Sequence, residues 1–186
     1  MFMAASATML VSCGGNQNKQ EDPKDVATEQ NDAKFDDSDT EKDTDFAVKA
    51  ADGGLFEVEA GKLAQQKATS PQVKEFAKLM VDDHTKASAE LKALAATKNI
   101  SLPAALSDAK QKDLQNLQEK SGADFDNDYM DAMVKAHEED VDAFEKEAED
   151  GVDADVKSWA AGKVTTLRHH LDMAKTTRDA VKNAKK

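Results

Sequence analysis

Three of the four histidines in this 186-residue chain stand where helical spacing would bury them, and a single glutamate could join them. His84 interrupts the series Val73, Phe76, Ala77, Met80, Ala87, Leu91 and Leu94, whose three- and four-residue spacing places its ring on the apolar face of a helix. His137 interrupts Met130, Met133, Val141, Phe144 and Ala148 in the same way. In the last part of the chain a weaker seam, Val156, Ala160, Lys163, Leu167, Ala174 and Val181, prefers His170 without excluding its neighbour His169. Glu57 lies at the centre of a small-residue face formed by Phe46, Ala50, Gly53, Ala60 and Ala64. An unpartnered buried carboxylate costs several kcal/mol, and a buried imidazole needs both a donor and an acceptor satisfied. A transition metal ion removes both penalties. Imidazole nitrogens and a carboxylate oxygen at about 2.0 to 2.2 Å suit zinc, iron or copper. The expected site is therefore one metal ion held by Glu57, His84, His137 and His170, with Asp83 and Glu138 the nearby carboxylates expected to orient the ligands and Glu139 and Asp140 also available. The alternative is a hydrogen-bonded Glu-His network without metal that sets the register of the helices.

For these groups to meet, each must come from its own helix at one height. From Phe46 onward the chain is rich in Ala, Leu, Lys, Glu and Met, and its apolar residues recur at three and four, so it reads as helix throughout. Helices are predicted over 44–67, 71–97, 107–120, 124–150 and 153–183. Ser70 and Pro71 supply an N-cap and a first-turn proline, Asn99 and Pro103 break the pattern, Ser107 and Asp153 cap, and Gly122 and Gly151 stop. Two tight turns, 68–70 and 151–153, imply two antiparallel hairpins, and a four-helix bundle with a short extra helix in the middle crossover is the economical packing. Glu57 lies 13 residues before Ser70, and His84 lies 13 after Pro71, so the two sit side by side. His137 and His170 lie 15 and 18 residues from Val152. Their midpoint, 153.5, lies one to two residues past Val152, a displacement of roughly 2 to 3 Å along the axis. Tyr129, Trp159 and the methionines at 80, 130, 133 and 173 are expected to pack rather than to bind.

Composition excludes other functions. With 37 acidic against 25 basic residues the chain carries a net charge of −12 and repels phosphate backbones, and no basic cluster interleaved with aromatics occurs, so no nucleic-acid partner is expected. One cysteine forms no internal disulfide or thiolate cluster, and no spaced Ser/His/Asp set is visible. That cysteine has another use. Residues 1–12 are apolar or small, too short to span a bilayer, and Leu10-Val11-Ser12-Cys13 resembles a bacterial lipobox. Residues 1–12 are thus expected to be a lipoprotein signal peptide and Cys13 a lipidated first residue that anchors the protein to the membrane of the cell envelope, with Gly14 compatible with sorting to the outer membrane. Between Gly14 and Asp45, 11 acidic and four basic residues account for −7 of the −12. Residues 13–45 are expected to form an acidic disordered tether, and 46–186 the bundle domain.

The motifs Gly54-Leu55-Phe56-Glu57-Val58-Glu59, Phe76-Ala77-Lys78-Leu79-Met80-Val81-Asp82-Asp83-His84-Thr85, Asn99-Ile100-Ser101-Leu102-Pro103 and Phe125-Asp126-Asn127-Asp128-Tyr129, with His137 and His170-Leu171, resemble the bacterial family called domain of unknown function 4142. The resemblance covers about Phe46 to Val181. It implies an exported, ferritin-like four-helix bundle with Glu57, Asp83, His84, His137 and His170 as its polar signature, and it favours His170 over His169. It implies no activity. Di-iron ferritins carry a Glu three residues before each ligating His, whereas here Val81, Val134 and Leu167 occupy those positions, which argues against a carboxylate-bridged pair of irons. The expected function is an envelope lipoprotein whose core binds one metal ion through four protein ligands, a closed site suited to structure or storage rather than catalysis. The alternative is a metal-free structural or stress-related envelope protein that binds another envelope component. An oxidase or peroxide-handling enzyme with an open iron position is the third reading.

Overall fold

The structure, a computed structural model, describes residues 21–35 and 38–184. Six helices occur among them: α1 (Pro23–Asp32), α2 (Ser38–Lys67), α3 (Pro71–Lys98), α4 (Asp108–Gln118), α5 (Gly122–Asp150) and α6 (Ala154–Ala184). No strand occurs among the described residues, and the protein is all-α. The expected signal peptide, residues 1–12, and Cys13 lie outside the described residues. No described helix is long and apolar enough to cross a membrane.

Local chemistry accounts for the stops. Pro71 opens α3, and Asn99 closes it in the left-handed conformation at φ 58°, a geometry that asparagine tolerates better than most side chains. Asp153 accepts hydrogen bonds from the Asp155 and Val156 backbone amides and starts α6. Ser70, however, makes no side-chain cap bond. The amides of Thr69 and Ser70 instead donate to Asp126 of α5, at 3.0 and 2.9 Å.

The two three-residue turns fold α2 back on α3 and α5 back on α6, and the hairpins join through α2 against α5 and α3 against α6. α2 approaches α3 closely at Gly61, where a Cβ would meet Val81 Cγ2 at 2.8 Å and the Ala77 carbonyl oxygen at 3.1 Å. One apolar cluster gathers Phe56, Phe76, Met80, Phe125, Tyr129, Met130 and Met133. Another gathers Phe46, Val141, Phe144, Val156 and Leu167. Along α5 and α6 the residues of these clusters lie on opposite sides of His137 and His170, so a polar layer divides the core.

The acidic stretch expected as a tether departs from that expectation wherever it is described. Asp22 caps α1, accepting from the Lys24 amide at 2.9 Å. The buried Asn31 side chain clasps Ser101, donating to its carbonyl at 3.0 Å and accepting from its amide at 2.7 Å. α2 starts at Ser38, before the expected boundary at 46, and both Asp43 and Thr44 are buried. Net charge misled here because a few polar residues of the stretch, Asp22, Asn31 and Asp43, act as caps and clasps, while Asp25, Glu29 and Asp32 stay exposed on α1.

Candidate metal centre

Glu57 on α2, His84 on α3, His137 on α5 and His170 on α6 meet in the polar layer, and none is more than 7% exposed. The three imidazoles form a nearly equilateral triangle, with ring centroids 5.4 Å apart for His84 and His137 and 5.5 Å for each of the other pairs. His169 is exposed, so the seam's preference for His170 holds.

The outer nitrogen of each ring is occupied. His84 Nδ1 is 2.7 Å from Glu57 Oε2, and His137 Nδ1 is 3.2 Å from Glu57 Oε1 and 2.9 Å from the Met133 carbonyl oxygen. His170 Nε2 is 2.9 Å from Asp83 Oδ2. Carbonyl and carboxylate oxygens only accept, so the bonded nitrogens of His137 and His170 carry the ring proton, and the negative charge of Glu57 beside His84 Nδ1 favours the proton on that atom electrostatically. The other nitrogens, His84 Nε2, His137 Nε2 and His170 Nδ1, are then bare lone pairs, and all three are buried without a partner. One nitrogen from each ring lies within 4.8 Å of the others. Three nitrogens on a tetrahedral ion at 2.0 to 2.1 Å stand roughly 3.3 Å apart, so rotamer adjustments that bring the rings together by about 1 to 1.5 Å would complete such a set.

Glu57, expected as a fourth ligand, lies behind two of the rings instead. It contacts both Nδ1 atoms off the line of the ring N–H bonds, so the hold is electrostatic rather than a directed hydrogen bond. Asp83 holds the His170 ring through its Nε2. Glu138 does not take part: it is exposed and pairs with Lys175 at 2.9 Å. The supporting carboxyl on α5 is Asp140, one turn beyond His137. It faces Glu57, and its Oδ1 lies 3.6 Å from where a side chain at Gly53 would begin. The signal for it was the three-residue spacing from His137, which puts both on one face.

Burial lowers the proton affinity of all three imidazoles, against the opposing pull of Asp140 and Asp83 on His84, Glu57 on His137 and Asp83 on His170. They are held neutral, the form in which imidazole binds a metal. Burial raises Glu57, moderated by His137 and Lys110, and it raises Asp140 further, where the Glu57 charge adds to the effect. Two carboxyls this close do not both ionise readily.

A helical protein with a triangle of buried imidazoles backed by carboxylates is the class that fold and site define. The chain belongs to the family described as domain of unknown function (DUF4142), whose profile matches residues 26–177, a stretch that starts within α1 and includes every residue of the site. No curated protein and no solved structure matches it.

Proposed function

We propose that this protein is an envelope lipoprotein, anchored to the outer membrane through Cys13, whose ferritin-like bundle binds one transition metal ion (zinc, iron or copper) through His84, His137 and His170. The observation that carries this is the set of three buried ring nitrogens, one from each histidine, that have no hydrogen-bond partner. A hydrogen-bonded network would have consumed those nitrogens, whereas a cation uses all three at once. Glu57 and Asp83 then supply the carboxylates that set each ring's tautomer and offset the ion's charge. Three protein ligands leave a fourth position open, which favours ligand exchange over the closed structural site that four ligands would make.

Metal analysis of the untagged protein tests this. One ion per chain is expected, and His84→Ala, His137→Ala and His170→Ala should each weaken binding by at least about tenfold, a loss of some 1.4 kcal/mol. Substoichiometric metal, with thermal stability unmoved by zinc, copper or ferrous iron, would overturn it.

The second reading, a metal-free polar core in an envelope interaction protein, draws on the way Glu57 already bridges two rings. In that case EDTA leaves stability unaltered, while Glu57→Gln destabilises by weakening its hold on both imidazoles.

A further inference from the structure

Two cross-links join α3 to α6 on one flank of the bundle. Asp83 bonds His170 at 2.9 Å, and Glu90 forms an ion pair with Lys163. Asp83 and Glu90 are seven residues apart on α3, as are Lys163 and His170 on α6, so at the helical rise the links stand about 10 Å apart. Together they frame a window two turns high. Midway between them lie Lys86 and Ala87 on α3 and Thr166 and Leu167 on α6, of which Ala87 is half-buried and Thr166 exposed. Behind the window is a cavity of about 170 Å³ whose wall includes His84, His170 and Asp140. Small residues of α2 keep it open from behind: a Cβ at Gly54 would meet Ser88 Oγ, also in the wall, at 3.1 Å. The cavity on the opposite flank, bounded by Phe56, Lys110, Ala132 and Glu139 among others, touches none of the three rings.

We infer that this window is the port through which the metal ion reaches the imidazole triangle and leaves it. This rests on the proposed metal site. His84 and His170 are the rings that an entering ion meets first, and His137, fully buried and outside the cavity wall, is met last. The wall carries charges of both signs, Asp83 and Asp140 against Lys86 and a Lys163 already paired with Glu90, so a passing ion meets no field of one sign. Width sets the rate instead. Ala87 and Thr166 are small where the helices leave the gap, and a space of several water volumes, at about 30 Å³ each, admits an ion with part of its hydration shell. Narrowing a path raises its barrier equally in both directions, so loading and release slow together while affinity is unaltered.

The test uses cobalt(II) as the probe metal on the untagged chain. Loading is followed by the visible d–d bands after rapid mixing, and release by transfer of cobalt from the loaded protein to excess EDTA. In Ala87→Leu and in Thr166→Phe, which set larger side chains in the window, both rates should fall by at least about tenfold while cobalt affinity stays within about twofold of the parent's. Ala132→Leu, the same enlargement of a half-buried residue on the opposite flank, should change neither rate. Unchanged rates in both window variants, or equal slowing in Ala132→Leu, would overturn the port and leave the metal site standing. Affinity lost without slowed exchange would overturn it too, because Ala87 and Thr166 would then shape the site rather than its approach. Failure of the parent chain to bind cobalt would overturn the metal site, and the port with it.

Discussion

Two pairs of acids among the described residues act on each other, and only one of them, Glu57 with Asp140, belongs to the imidazole layer. The other is Asp43 and Glu147, at the far end of α5. Asp43 is committed as an acceptor, taking the amides of Val152 and Asp153 at 3.1 and 2.5 Å. Glu147 lies beside it, and burial together with the Asp43 charge pushes its carboxyl up to about 7. The unfolded chain releases that proton near 4.5. Between those values the folded protein keeps a proton that the unfolded chain has lost, so this group makes stability decline as pH rises from 4.5 to 7. The buried imidazoles act with the opposite sign, since below about 6.5 the unfolded chain takes up protons that the fold resists. Glu147→Gln separates the two effects. Its denaturation midpoint should gain on the parent's steadily from pH 4.5 to 7 and hold level above, by on the order of 1 kcal/mol. Glu147 is only 6% exposed but borders a surface cleft, where solvent screens it, so the full value of the shift is not realised. A constant offset across that range would show that Glu147 does not hold its proton.

At the scale of the helices, buried aspartates do from a distance what capping residues usually do within one turn. Asp126 of α5 closes the start of α3, Asp43 of α2 closes the start of α6, and Asp52 of α2 takes the amide and hydroxyl of Ser107 ahead of α4 at 2.8 and 2.7 Å. Each ties the backbone amides just ahead of one helix to the flank of another, so the turn that starts a helix and the packing of its neighbour form together. Asp126→Ala should cost about 2 to 3 kcal/mol by urea denaturation, because it strips acceptors from the Thr69 and Ser70 amides and from the Thr69 hydroxyl, which lies 2.6 Å away. Ser70→Ala should stay within about 0.5 kcal/mol, since its side chain makes no cap bond. Equal costs for the two substitutions would mean that the cap is local after all.

At the scale of the whole molecule, the two larger apolar clusters among the described residues are separated by a layer of three imidazoles with Glu57 and Asp140. Such a layer costs stability when its lone pairs face nothing, and an ion contributed by all four long helices, three by ligation and α2 through Glu57, would couple the halves. An ion that binds the folded chain alone contributes about 2.7 kcal/mol when present at a hundred times its dissociation constant. For a chain of this length that corresponds to a rise in Tm of roughly 5 to 10 °C. Calorimetry with and without zinc should show this rise in the parent and not in His137→Ala, while a rise that survives the substitution would place the ion elsewhere.

Helical period and turn chemistry, both local, were enough to place Glu57 and His84 at one level, to put His84, His137 and His170 on buried faces, and to set the turns at 68–70 and 151–153. Periodicity assigns a residue to a face and a height because backbone geometry alone dictates both. It does not say which atom of a ring points inward, whether Asp140 or Glu138 turns toward Glu57, or that Asn31, Asp43 and Asp126 are caps and clasps rather than solvated charges. Those outcomes depend on the rotation and separation of neighbouring helices, set by contacts such as Gly61 against Val81 across non-adjacent stretches of chain. Helix positions came from the sequence, and the division of labour at the site, lone pairs inward and carboxylates behind, was decided only when the helices packed.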